Sequence, residues 1–159
     1  MTRSFRVLGF VVLTIVSLAL IAQSRPSDSS KADGLSLARA YMKGMETGQL
    51  DDLNKLFLPD GKSNILENAS NEGSWEHYRD HHLKPEMEAT SNFRVSVTEE
   101  TETRFGSTIL VRQVGTFSME VKEELRKYRM AVTYLIVDHS GKPKIAHIHW
   151  SSRPERKKP

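Results

Sequence analysis

Apolar residues recur every three to four positions through the first part of the chain and every second position through the rest. Leu37, Tyr41 and Met45 fall four apart with Ala38 and Met42 beside them, which predicts a helix from near Leu35 to Gly48. Leu50, Leu53, Leu56 and Phe57 form a second helical stripe. Asp51 and Asp52 sit in its first turn, where carboxylates suit the positive end of a helix dipole, and Pro59-Asp60-Gly61 then turns the chain. Lys62 to Glu67 is expected as a short strand with Ile65 and Glu67 on one face and Leu66 on the other, and Asn68 to Gly73 as a loop. Ser74 is placed to cap a third helix from Trp75, in which His77 and His81 share one face and Tyr78 and His82 another. Pro85 lacks an N–H and clashes with the carbonyl of His81, so this helix must kink, or stop near Leu83 and restart with Pro85 in its first turn.

Beyond it the period changes to two. Phe93, Val95 and Val97 alternate with polar residues, and Glu99 to Arg104 is expected as a solvated strand end before a turn at Arg104 to Ser107. Ile109, Val111, Gln113, Gly115, Phe117 and Met119 share one face of a long strand, and Glu120 to Lys127 is predicted to turn. Arg129 to Asp138 is apolar on both faces, the pattern of a strand covered on both sides. His139 to Pro143 turns into the last strand, Lys144 to Ser152, where alternation puts Ile145, His147, His149 and Ser151 on one face and Ala146, Ile148 and Trp150 on the other. Helices followed by an antiparallel meander make the fold class α+β.

At 159 residues the chain holds one domain and short extensions. Arg3 and Arg6 precede an uncharged apolar run from Val7 to Ala22, and Ala22-Gln23-Ser24 offers small residues where a signal peptidase cuts. Residues 1–24 are therefore expected to be a secretory signal, or, if retained, a membrane anchor. Either way the folded part is expected to be exported, periplasmic or secreted. Residues 25–33 form a Ser- and Pro-bearing linker, 34–152 the domain and 153–159 a basic tail. The chain has no cysteine, which removes disulfides, thiolate catalysis and cysteine-ligated metals. The net charge of +3 is carried by the ends, Arg3 and Arg6 at one and Arg153, Arg156, Lys157 and Lys158 at the other. No basic stripe crosses the domain, so nucleic acid is not an expected partner.

The order of elements is similar to the cone-shaped fold of nuclear transport factor 2, over nearly all of Leu35 to Ser152. Gly73 to Met87 (Gly-Ser-Trp-Glu-His-Tyr-Arg-Asp-His-His-Leu-Lys-Pro-Glu-Met) and His147 to Ser152 (His-Ile-His-Trp-Ser-Ser) resemble exported bacterial members of its SnoaL-like branch. The resemblance implies three helices packed on a curved, mostly antiparallel sheet, a pocket at the wide end, and a homodimer formed through the sheet. It also implies that the last strand lies beside the first, so that Glu67, His81 or His82, Glu86, His147 and His149 build one pocket. The family includes polyketide cyclases, a steroid isomerase and dehydratases, and its fold alone does not choose among them.

Three uses of that pocket follow. His82, Glu86, His147 and His149 form a three-histidine, one-carboxylate set suited to Zn, Cu, Ni or Fe. His147, His149 and Glu67 form a proton-transfer set suited to an isomerase, dehydratase or cyclase acting on a small carbonyl compound. A non-catalytic ligand-binding or assembly domain is the third, with Trp75, Tyr78, His81 and Tyr134 lining a small-molecule pocket. Aromatic residues at such spacings are more often core. No nucleophile elbow, phosphate loop or dinucleotide fingerprint is present.

Overall fold

A computed structural model describes residues 34–156. The expected export signal, the linker and the last residues of the basic tail lie outside the described residues. Within them, helix α1 (Gly34–Thr47) is followed by a 3₁₀ helix (Leu50–Leu56), strands β1 (Asn64–Glu67) and β2 (Ser70–Gly73), and helix α2 (Trp75–Tyr78). A π-helical turn (Arg79–Leu83) leads into α3 (Lys84–Ala89). The long strands β3 (Thr90–Phe105), β4 (Thr108–Val121), β5 (Glu124–His139) and β6 (Lys142–Pro154) complete the chain. They make one six-stranded sheet ordered β2-β1-β6-β5-β4-β3, antiparallel except where β1 lies parallel to β6. This is the expected α+β cone, with helices packed on the concave face of a curved sheet.

The helices form where the apolar periodicity puts them. Leu37, Ala38, Tyr41, Met42 and Met45 are the buried stripe of α1, and Gly48 ends it in the left-handed conformation (φ 69°) that a residue without Cβ adopts freely. The second stripe winds more tightly than expected. It is a 3₁₀ helix, and Phe57 lies beyond it in extended backbone, bridging to Ile145 of β6. The third helix does not stop at Pro85. Tyr78, Arg79, Leu83 and Lys84 all keep right-handed helical φ and ψ, and Lys84 N–H bonds the carbonyl of Arg79 five residues back, so a π-helical turn carries the helix past the proline that lacks an N–H.

Four expectations change. Asn68 to Gly73 is not a loop throughout. Asn68 and Ala69 (φ 45° and 72°) make a two-residue left-handed turn, and Ser70–Gly73 pairs back on β1. Likewise Lys122 and Glu123 (φ 51° and 66°) make the whole β4–β5 turn, so β5 starts at Glu124. Glu102 is not a solvated strand end. Its Oε2 accepts the N–H groups of Gly34 (2.8 Å) and Leu35 (3.2 Å), capping α1 from the facing strand. Finally, β5 is central but covered on one side only. Val132, Tyr134 and Ile136 are buried, whereas Ala131 and Leu135 on the opposite face are exposed.

The core lies between the helices and the concave face. Phe57 and Trp75 stack in parallel (centroids 4.3 Å, planes 3° apart), and Tyr41 meets Phe57, Trp75 and Tyr134 edge-on at 5.9–6.0 Å.

Candidate functional site

Strand β6 decides what the site contains. Ile136 pairs with Ile145 but Leu135 pairs with His147, so Ala146 is an extra residue in a β-bulge and the alternation shifts across it. Ile145, Ile148 and Trp150 all face the core. His147 and His149 stand opposite Leu135 and Thr133 on β5 and opposite Asn64 and Leu66 on β1, on the convex, outward face. Glu67 pairs with Trp150 and faces inward. The sheet therefore separates His147 and His149 from Glu67, His82 and Glu86. The expected metal set His82, Glu86, His147 and His149 cannot meet one ion, and the proton-transfer set His147, His149 and Glu67 cannot meet one substrate. Among the described residues, no three His, Asp or Glu side chains are grouped so that they could hold a metal ion. His149 instead borders an outer hollow of about 510 Å³ with Leu66, Asn68, Ala69, Ser151 and Ser152.

The inward face assembles a different group. Asn68 fixes the end of β1 against β6, its N–H bonding the carbonyl of Trp150 (3.0 Å) and its Oδ1 accepting from Ser152 N–H (2.8 Å). Glu67, one residue earlier, is thereby set beneath the third helix. Ser74 caps that helix through His77 N–H, and Trp75, fully buried, roots it, donating its backbone N–H to Ser63 Oγ (3.0 Å) and its indole N–H to Asn54 (2.8 Å). Tyr78, one turn on, donates its hydroxyl to Glu67 Oε2 at 2.6 Å. His82 packs its ring on Tyr78 (centroids 5.0 Å) and brings Nε2 to 3.4 Å from the same Oε2. Its Nδ1 lies 3.3 Å from Glu72 Oε2, and Glu86 approaches Nε2 at 3.9 Å.

One imidazole thus sits among three carboxylates, and Glu67 Oε2 carries two of the contacts. No hydrogen bond reaches Glu67 Oε1 among the described residues, although the side chain is only 16 % exposed. Burial raises the pKa of Tyr41 and of Tyr78; Glu67 and Glu86 add to the shift at both, and Tyr41 also raises Tyr78. Both phenols are therefore neutral, and Tyr78 is the one that donates to Glu67. A hydrogen bond from Ser70 and then the neighbouring His82 hold Glu72 below its usual range. Glu86 is shifted the other way, first by burial and then by the charge of Glu67.

That shift has a sign. The folded state holds a proton on Glu86 more tightly than the unfolded chain, so its contribution to stability is full below the ordinary value of 4.5 and is lost as pH rises through the raised one. Glu86→Gln should therefore melt higher than wild type at pH 7, with the gap closing on acidification. Identical melting curves from pH 4 to 8 would mean that Glu86 titrates normally.

The structure places the remaining expected residues apart from this group. Trp75 and Tyr134 are completely buried, Tyr134 donating to Gln113 (3.0 Å), and both serve the core. Of the two adjacent histidines, His82 turns inward and His81 lies exposed beside His77. Glu72 carries no periodic signal in the sequence, because it is the extra, unpaired residue of a β-bulge in β2, between Gly73 and Asn71, which pair with Ile65 and Leu66, and it meets His82 from there.

A family model for the SnoaL-like domain matches residues 35–154. No curated protein matches the chain. Solved structures share the fold at low identity. A nuclear transport factor 2-like superfamily protein from Salmonella enterica serovar Typhimurium superposes with a TM-score of 0.67 at 11% identity, over 76% of this chain and 89% of that one. A candidate dehydratase of the same family from Streptomyces avermitilis gives 0.63 at 16%, over 76% and 93%. A candidate ketosteroid isomerase from Shewanella frigidimarina gives 0.61 at 18%, over 72% and 91%. With cone, sheet order and family match in agreement, the chain belongs to the SnoaL-like branch of the nuclear transport factor 2-like superfamily.

Proposed function

We propose that the domain binds a small carbonyl compound against Glu67 and moves a proton on it. The observation that carries this reading is the division of labour on one carboxylate. Tyr78 and His82 hold Oε2, which fixes the group and leaves Oε1 for a ligand. In such a site Glu67 takes a proton from the carbon next to the carbonyl, and the released electron pair moves onto the carbonyl oxygen as an enolate. The proton returns to the same or a neighbouring carbon, and His82 links Glu67 to Glu72 and Glu86 for exchange with solvent. This is the chemistry of isomerases and of the enolising half of dehydration, the activities attached to two of the structural neighbours.

The test is proton-for-deuterium exchange at the α-carbon of a panel of small ketones and 2-oxo acids, followed by NMR with the purified protein. Exchange of one compound above background, retained in His147→Ala/His149→Ala, slowed in His82→Ala and slowed further in Glu67→Gln, supports the reading. Background exchange with every compound, or equal loss in the outer-face double variant, would overturn it.

A second copy is proposed to cover the convex face. Leu135 and Val114 there are 36 % and 38 % exposed, and apolar residues occupy both faces of β5. Light scattering on the eluting protein should give twice the chain mass, and Leu135→Lys should halve it. A wild-type monomer at tens of micromolar would end this proposal.

A further inference from the structure

The exposed side of the third helix carries a pair of histidines for which the inward-facing site has no use. His77 and His81 are four residues apart across the junction of α2 and the π-helical turn, and both are exposed. Their rings lie 4.6 Å apart between centroids, with planes inclined by 41°. His77 Nδ1 is 3.0 Å from the backbone carbonyl of Glu72. A carbonyl oxygen only accepts, so Nδ1 must carry the hydrogen and, in the neutral ring, Nε2 carries the lone pair. That is the arrangement found at metal-binding histidines, whose second nitrogen donates to a carbonyl or carboxylate and fixes the ring.

The ring separation can be compared with what a shared ion needs. With metal–nitrogen bonds of about 2.0–2.1 Å, each centroid stands about 3.2 Å from the ion; two such rings are about 4.5 Å apart at a right angle and about 5.2 Å apart at the tetrahedral angle. The observed 4.6 Å fits neighbouring positions of a square or octahedral ion. We propose that His77 and His81 form a two-histidine surface site for a divalent transition metal, with Cu²⁺ preferred over Ni²⁺ and Zn²⁺ and water completing the shell. The site is separate from the Glu67 group. Tyr78 and His82, on the other face of the same turn, point to Glu67, and His82 makes its contacts there. A metal across His77 and His81 would clamp the helical turn from which Tyr78 and His82 project.

All six histidines lie within the described residues, so variants can account for each. The full-length protein, free of affinity tags and in buffer without amines, would be titrated with Cu²⁺ and then Ni²⁺ by calorimetry. Electron paramagnetic resonance of the one-equivalent Cu²⁺ sample would count its nitrogen ligands. The expected result is one equivalent with two imidazole nitrogens, weakened about tenfold or more by either His77→Ala or His81→Ala. His82→Ala and His147→Ala/His149→Ala should leave that equivalent unchanged. Because His77 and His81 are exposed, their loss is not expected to disturb folding. Three results would overturn the proposal: no stoichiometric binding, an equivalent that survives both single variants, or one that disappears with His147→Ala/His149→Ala or His82→Ala.

Discussion

Glu67→Gln is expected to slow α-carbon exchange by about 10²–10⁴, the range associated with a positioned general base. The substitution keeps the shape of the side chain and a carbonyl oxygen that Tyr78 can still donate to, so the fold and the β1–β2 hairpin should persist. What it removes is the basic oxygen. A folded, ligand-binding but inactive Glu67→Gln protein would identify Glu67 as the group that takes the proton. His82→Ala should cost less than Glu67→Gln, because it removes a link to solvent and leaves the base in place. A rate in Glu67→Gln within a factor of about two of wild type would move the base elsewhere, and Glu86, 3.9 Å from His82, would then be the carboxylate to change.

Trp75→Ala is expected to cost about 3–5 kcal/mol of stability. The indole is fully buried, stacked on Phe57 and met edge-on by Tyr41, so truncation opens a cavity at the centre of the aromatic core. It also removes the indole N–H bond to Asn54, although Arg79 donates to the same amide oxygen and keeps it satisfied. For a domain stable by about 5–15 kcal/mol this is a large share, and the urea midpoint should fall steeply while the slope stays near wild type. Trp75→Phe keeps the stack and should recover most of the loss. A Trp75→Ala midpoint equal to wild type would show that the stack with Phe57 carries little of the stability. The two predictions meet at one element. Trp75 roots the short helix that delivers Tyr78 and His82, so its truncation should disturb the site, whereas Glu67→Gln should not disturb Trp75.

Much of this was legible in the sequence because it depends on neighbours along the chain. The four-residue spacing of Leu37, Tyr41 and Met45 determined α1 and its buried stripe. The missing N–H of Pro85 determined that the third helix leaves regular α geometry beside it, which the structure meets with the π-helical turn Arg79–Leu83 rather than with a stop. Period-two alternation put Ile65 and Glu67 on one side of β1, with Glu67 inward once Ile65 is core. Left to the tertiary structure were the questions that alternation cannot pose. A strand pattern says that His147 and His149 share a face, but which face meets the helices is set by Ile148 and Trp150 packing opposite Tyr134 and Val132. One inserted residue, Ala146, then puts Ile145 on their side of the sheet, against the simple pattern. The same holds for His81 and His82, adjacent on a helix and pointing apart, because only contact with Glu67 and Glu72 distinguishes them. It holds again for Glu102, whose cap on α1 joins residues far apart in the chain. Local spacing follows from covalent geometry, which the sequence carries. The choice of face follows from which surfaces exclude water together, and that is decided only when the whole sheet closes on its helices.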